Sequence, residues 1–332
     1  MQMNEGKDLG PVVRWLLTGC VLIACMVVIG GITRLTGSGL SITEWKPIMG
    51  ALPPMNDAEW HVAFDKYKQI PEYTLKNQHM DMAGFKAIFF WEYLHRNWGR
   101  LMGLVFIIPF AIFLRRGLLQ GWLKRRTIAI LIGGGLVGAL GWFMVASGLQ
   151  DNPDVSHYRL AIHLCAAFTV FGLVLWTALD IREGRARFAG EAGPLGTWVR
   201  VAFALLVLQI VWTAVVPLMN GEFMPENVTA HGSLWKDLSD HRDGVQFVHR
   251  NLAWLVAAAV VGLAVHYRRE RAMAGLWPWL VGVVLLQFTL GVLTVLTQVD
   301  ITLGVVHQFG ALLLLAVVIV ALHRTGRAPA VS

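Results

Sequence analysis

The sequence predicts an all-α integral membrane protein with eight transmembrane helices, built as two tandem four-helix bundles with both termini on the cytoplasmic side. Three observations predict it: a composition too apolar for a water-soluble domain, eight uninterrupted apolar runs of bilayer length, and a His-Arg-Asn tripeptide repeated in phase with those runs.

Of the 332 residues, 56% are hydrophobic and 15% charged, and the mean hydropathy is +0.57. A soluble fold has too little interior to bury that balance. A hydrocarbon core about 30 Å thick takes roughly 20 apolar residues per helix. Runs of that kind cover residues 12–32, 92–114, 127–147, 158–179, 198–218, 246–267, 276–297 and 302–322. They are continuous rather than alternating, so they read as helices and not as barrel strands.

Lys and Arg set the orientation. The connection after the second run holds Arg115, Arg116, Lys124, Arg125 and Arg126, and that after the sixth holds Arg268, Arg269 and Arg271. These loops are expected to face the cytoplasm. Asp151, Asp154 and Asp300 follow the third and seventh runs, and Glu222, Glu226, Asp237, Asp240 and Asp243 follow the fifth, which places those connections outside. The net charge of +7 is then mostly cytoplasmic loop charge, and no nucleic-acid partner is expected. The opening MQMNEGKDLG resembles neither a signal nor a transit peptide, so a bacterial inner membrane is the expected location. Cys20, Cys25 and Cys165 fall inside apolar runs, where packing accounts for them.

His95-Arg96-Asn97 opens the second run and His249-Arg250-Asn251 the sixth, which gives each half four helices. The expected division is an N-terminal half over residues 1–180, a cytoplasmic linker over 181–200 and a C-terminal half over 201–332. The first outer connection, residues 33–91, is much the longest. It begins Thr33-Arg34-Leu35-Thr36-Gly37-Ser38-Gly39-Leu40-Ser41, continues through Trp45-Lys46-Pro47, and between Asp57 and Met82 reads as amphipathic or interfacial.

His95, His163, His249 and His307 all fall within about two helical turns of the outer boundary. One intramembrane imidazole is readily a hydrogen-bonded bundle histidine; four at one depth, two per half, point to metal or haem. Bis-histidine haem ligation needs imidazoles on facing helices, whereas zinc or a dinuclear centre would want carboxylates or cysteines, of which these helix ends offer too few. Arg96 and Arg250 stand where haem propionates would lie, and interfacial snorkelling explains them equally well. His61, His79, His157, His231 and His241 in outer segments, and His266 and His323 at cytoplasmic ends, are expected to be solvated rings.

Glu92 stands one turn before His95, and the repeat has Gln246 in its place. Beside a haem edge, a carboxylate can take a proton or stabilise developing positive charge. The alternative is an acid that starts the helix at the interface. Gln246 accepts no proton at neutral pH, so the C-terminal pair is expected to serve electron transfer.

The segments Gly31–Ser41, Phe89-Phe90-Trp91-Glu92-Tyr93-Leu94-His95-Arg96, His157-Tyr158-Arg159-Leu160-Ala161-Ile162-His163, Gln246–Asn251 and Gly304-Val305-Val306-His307-Gln308 together resemble the haem A synthase family. The resemblance implies oxidation of the C8 methyl of haem O to a formyl group, by way of a hydroxymethyl intermediate, to give haem A for terminal oxidases. It implies that His95 and His163 flank the substrate haem, that Glu92 is the essential acid, and that His249 and His307 ligate a resident haem b. Some bacterial members carry a cysteine pair in the first outer loop; this chain has none there. Haem O synthase and oxidase assembly factors are partners by family alone, and an electron-transfer partner is implied without being identified. Two rivals share the four histidines: a b-type cytochrome that passes electrons from quinol, and a haem carrier without catalysis.

Overall fold

The computed structural model describes residues 7–45, 49–149, 157–186, 193–215 and 242–326. Lys46, Pro47, Asp151, Asp154, Glu222, Glu226, His231, Asp237, Asp240 and His241 lie outside the described residues, as do the side chains of His157 and Asp243.

All regular structure among the described residues is helical. The elements are α1 (Gly10–Leu35), α2 (Asp57–Tyr67), α3 (Pro71–Lys76), α4 (Met82–Arg115), α5 (Gly121–Gly148), α6 (His157–Glu183), α7 (Pro194–Val215), α8 (Arg242–His266), α9 (Trp277–Leu296) and α10 (Ile301–Thr325). Eight of them, all but α2 and α3, are long and apolar enough to cross a membrane. The chain is a multi-pass membrane protein.

Local chemistry sets several boundaries. Proline stands in the first turn of α1 and of α9, where its missing N–H costs nothing. After α1 the chain turns at Gly37, whose φ of +63° suits glycine. Asp81 caps α4 by accepting from the Gly84 amide at 2.8 Å, and Asp300 caps α10 from Leu303 at 3.1 Å. α4 therefore begins ten residues before Glu92, ahead of the apolar run read from the sequence. Within α4, Pro109 has no N–H to offer the Val105 carbonyl, and the Trp15 indole Nε1 of α1 supplies that bond instead at 2.9 Å.

Packing divides the helices into two rings. α1 touches α4, α4 touches α5, α5 touches α6 and α6 returns to α1; α7, α8, α9 and α10 repeat the order. Contacts of α1 with α10, α6 with α7 and α6 with α10 join the rings. Exchanging α1, α4, α5 and α6 for α7, α8, α9 and α10 maps these contacts onto one another. α1, α6, α7 and α10 form the middle, where Val12, Leu16, Val199, Leu312 and Val318 are fully or almost fully buried. Lipid tails are as apolar as leucine, so close packing rather than water exclusion holds such helices. Small residues permit it: a Cβ on Gly31 would stand 3.3 Å from Val305, and one on Gly172 would stand 3.2 Å from Ile319.

Outside the rings, Asn56 caps α2, and Phe64, Tyr67, Ile70 and Leu40 pack on the projecting first turns of α4 through Phe85, Ile88 and Phe89. Phe64 and Phe85 stack at 4.9 Å. The amphipathic outer segment is thus two short helices on a small core of its own.

At the opposite end one expectation fails. His323 is fully buried, its Nε2 3.1 Å from Asp180 Oδ1, with Trp176 edge-on and Arg126 3.8 Å from the other carboxylate oxygen. The ring is not solvated, because its turn of α10 packs against α6 between the rings. His61, His79 and His266 are exposed, as expected.

Candidate functional site

The four histidines occupy corresponding corners. His95 on α4 and His163 on α6 belong to opposite helices of the first ring; His249 on α8 and His307 on α10 belong to opposite helices of the second. The His249 and His307 rings lie 6.5 Å apart by centroid with planes at 78°. An imidazole nitrogen binds a first-row metal at about 2 Å, so two rings sharing one metal have centroids roughly 6 Å apart. The observed spacing fits that arrangement.

Backbone geometry seats these rings. A Cβ on Gly141 of α5 would stand 3.0 Å from His163 Cε1, and one on Gly291 of α9 would stand 2.9 Å from His307 Cε1. Each glycine leaves the space that its histidine fills. Nδ1 of both histidines is buried without a hydrogen bond of good geometry, and the backbone of Val137 or Gln287, one turn before the glycine, lies beside the ring. His95 rests on α1, where a Cβ at Gly30 would stand 3.3 Å from its Nε2. His249 is oriented differently: the Gln209 side-chain amide on α7 reaches its Nδ1 at 2.9 Å and donates to its carbonyl at 3.1 Å. Sequence reasoning passed over Gly30, Gly141, Gly291 and Gln209. The paired glycines become legible only when the two halves are aligned on their histidines.

Glu92 is buried inside α4 and therefore does not start the helix. Its Oε2 accepts from the Ser41 hydroxyl and the Ile42 amide, both at 2.7 Å, and its Oε1 from Arg96 at 2.6 Å. Arg96 also donates to the carbonyls of Ile42 and Glu44 and lies over the Trp45 ring at 5.7 Å. This ion pair ties the segment after α1 across α4, with Glu92 three residues before His95 and Arg96 next to it. Gln246, at the corresponding place on α8, is partly buried, as is Arg250 beside His249. Neither oxygen of Glu92 is idle: Ser41, Ile42 and Arg96 hold both of them.

Among the described residues no group of three or more His, Cys, Asp or Glu side chains is arranged to hold a metal ion. A donor set of one histidine pair per ring suits a metal whose remaining ligands arrive with it, as iron does in haem. The three cysteines are free, two on α1 and one on α6.

The profile of the cytochrome oxidase assembly protein family matches residues 13–319. The chain belongs to that family. A heme A synthase of Flavobacterium johnsoniae is 43% identical over 97% of this chain and 99% of its own length. The heme A synthase of Rhodospirillum centenum is 42% identical over 93% of this chain and 87% of its own, and that of Caulobacter vibrioides 43% over 92% and 94%. The family match therefore covers both rings and all four histidines.

Proposed function

We propose that this member of the family is a haem A synthase, which oxidises the C8 methyl of haem O through a hydroxymethyl to a formyl group. The observation that carries the reading is one histidine pair across each four-helix ring, one pair with the Glu92 carboxylate one turn away and the other with Gln246, in a chain whose full-length relatives are named heme A synthase.

The N-terminal ring holds haem O between His95 and His163. The C-terminal ring holds a resident haem b between His249 and His307, and that group supplies one-electron redox capacity when bound. Gly141 and Gly291 leave His163 and His307 room to turn toward the ring centre, and Gln209 holds the plane of His249. Glu92 stands as a carboxylate beside the substrate and is neutralised as it takes up a proton released when the methyl carbon is oxidised, with Ser41 as its hydroxyl partner. Arg96 and Arg250 stand near the propionates, and Arg96 shares its guanidinium with Glu92. The two rings descend from one duplicated four-helix unit, divided near residues 181–200.

Both termini face the cytoplasm of a bacterial inner membrane and the haem sites lie toward the periplasm, which the basic connections after α4 and α8 support. Haem O synthase delivers the substrate, oxidase assembly factors receive the product, and a separate redox partner collects the electrons.

The test is to purify the chain from membranes that make haem O and to extract its haems. Haem b together with haem O or haem A is expected; haem b alone, in membranes also lacking haem A, would sink the reading.

A further inference from the structure

One side of the N-terminal ring is open where the C-terminal ring is shut. α8 and α9 are in more extensive contact than their counterparts α4 and α5. Counted from the paired histidines and glycines, Trp254 and Phe288 of the C-terminal ring correspond to Arg100 and Gly138, and Val284 corresponds to Gly134. Trp254 and Phe288 close the α8/α9 seam with ring centroids 4.4 Å apart, and Val284 is buried behind them. In the N-terminal ring, a Cβ at Gly134, at Gly138 or at Gly103 on the facing stretch of α4 would meet nothing within 4 Å. These glycines border free space, as Gly262 of α8 and Gly282 of α9 also do, so the contrast between the rings lies in the Trp254/Phe288 pair and the extent of helix contact.

Two observations say what that space serves. It adjoins the histidine pair along α5, since Gly141, less than one turn beyond Gly138, is the residue against which His163 lies, with its Nδ1 buried. It is also roofed on the outer side: Trp45 lies 6.3 Å from Trp142 of α5 and beneath Arg96 of α4, while Val145 and Leu149 of α5 pack on the outer aromatic core. Among the described residues, the outer side of the seam is covered and its hydrocarbon side is not. A resident haem that must stay calls for a closed ring; a substrate that arrives and a product that leaves call for an open one.

We infer that the α4/α5 seam is a lateral doorway through which haem O and haem A pass between the bilayer and the His95/His163 pair. We further infer that the slot bordered by Gly103, Gly134 and Gly138 takes the isoprenoid chain that distinguishes haem O from haem b. The inference rests on the function proposed above and adds the route and the residues that select the substrate. Glycine at 138 is the specificity determinant: a large side chain there makes this ring resemble the one that keeps its haem.

The test copies the closed seam onto the open one. The full-length Arg100→Trp/Gly138→Phe variant is purified from membranes containing haem O, and its haems are extracted and quantified. Haem O plus haem A is expected to fall at least tenfold with haem b at the wild-type level, while Gly138→Ala retains more than half. In the mirror variant, Trp254→Arg/Phe288→Gly, haem b is expected to pass to an excess of haem-scavenging apoprotein at least ten times faster than from wild type. Normal haem O and haem A in the closed variant overturn the inference, whether or not its oligomeric state changes; if it does change, the seam belongs to a second copy. Should the closed variant lose haem b as well, the mirror variant decides, and unchanged haem b release overturns it. Wild-type protein that takes up no haem O from membranes removes the proposed function itself, a result distinct from all of these.

Discussion

His323 and Asp180 meet at 3.1 Å in the seam between the two rings, both side chains sealed from solvent, at the end of the molecule away from the four histidines. Arg126 from α5 and the Ala186 amide also approach the same carboxylate. The contact clamps α6 to α10, the pair of helices that carry His163 and His307 at their other ends. Replacing one partner strands a buried polar group, at a cost of roughly 3 kcal/mol. His323→Leu is expected to lower the thermal midpoint of the detergent-solubilised protein by several degrees and leave the haem b content intact at low temperature. The double variant with Asp180→Leu should lose less than the sum of the two single ones. Additive losses would show that the two residues do not act as a pair.

The glycines opposite the ligands are expected to separate the two sites cleanly. Gly291→Ala puts a methyl 2.9 Å from His307 Cε1, and Gly141→Ala puts one 3.0 Å from His163 Cε1. Overpacking of this kind costs about 1–3 kcal/mol, or about tenfold or more in affinity for whatever the displaced ring binds. Haem quantification should show Gly291→Ala depleted in haem b, and Gly141→Ala normal in haem b but depleted in haem O and haem A. Equal loss of haem b in both would contradict the assignment of ligands to rings.

Glu92→Gln is expected to lower haem A formation in membranes by about a hundredfold or more while haem b remains, the scale of a lost proton-transfer group. Ser41→Ala removes one hydrogen bond to the same carboxylate and leaves the charge. If Glu92 served only to anchor the loop, the two variants would damage haem A formation to similar extents. A much milder Ser41→Ala is the expected outcome.

Gln209→Leu removes the amide that lies 2.9 Å from His249 Nδ1. Groups that orient a metal-binding histidine typically change metal affinity by about 10–100-fold. The variant is therefore expected to release haem b about tenfold faster or more, measured by transfer to a scavenging apoprotein. Release at the wild-type rate would remove Gln209 from the site.

Much of this molecule is legible in its residues because the bilayer imposes a simple code. Apolar runs of about 20 residues predict eight crossings, and all eight appear, because in hydrocarbon a backbone must satisfy its own hydrogen bonds. The histidines could be grouped as two pairs from their shared depth and the repeated tripeptide. Their seats could not: Gly141 and Gly291 are ordinary glycines until the neighbouring helix brings an imidazole against them. Likewise the sequence leaves a helix-starting acid as the alternative to a site acid at Glu92, and it is Asp81, eleven residues earlier, that caps α4.

By itself the sequence determined the class, the number of helices and the exchange of Glu92 for Gln246 between the halves. Local composition suffices for these, since each follows from the cost of exposing polar groups to lipid. Only the tertiary structure decided that glycines of neighbouring helices seat His163 and His307, that Glu92 is tied to Ser41 and Arg96, that His323 is buried against Asp180, and that α8 and α9 pack more extensively than α4 and α5. These properties depend on which side chains from distant segments fill the same space, and spacing along one chain does not carry that information.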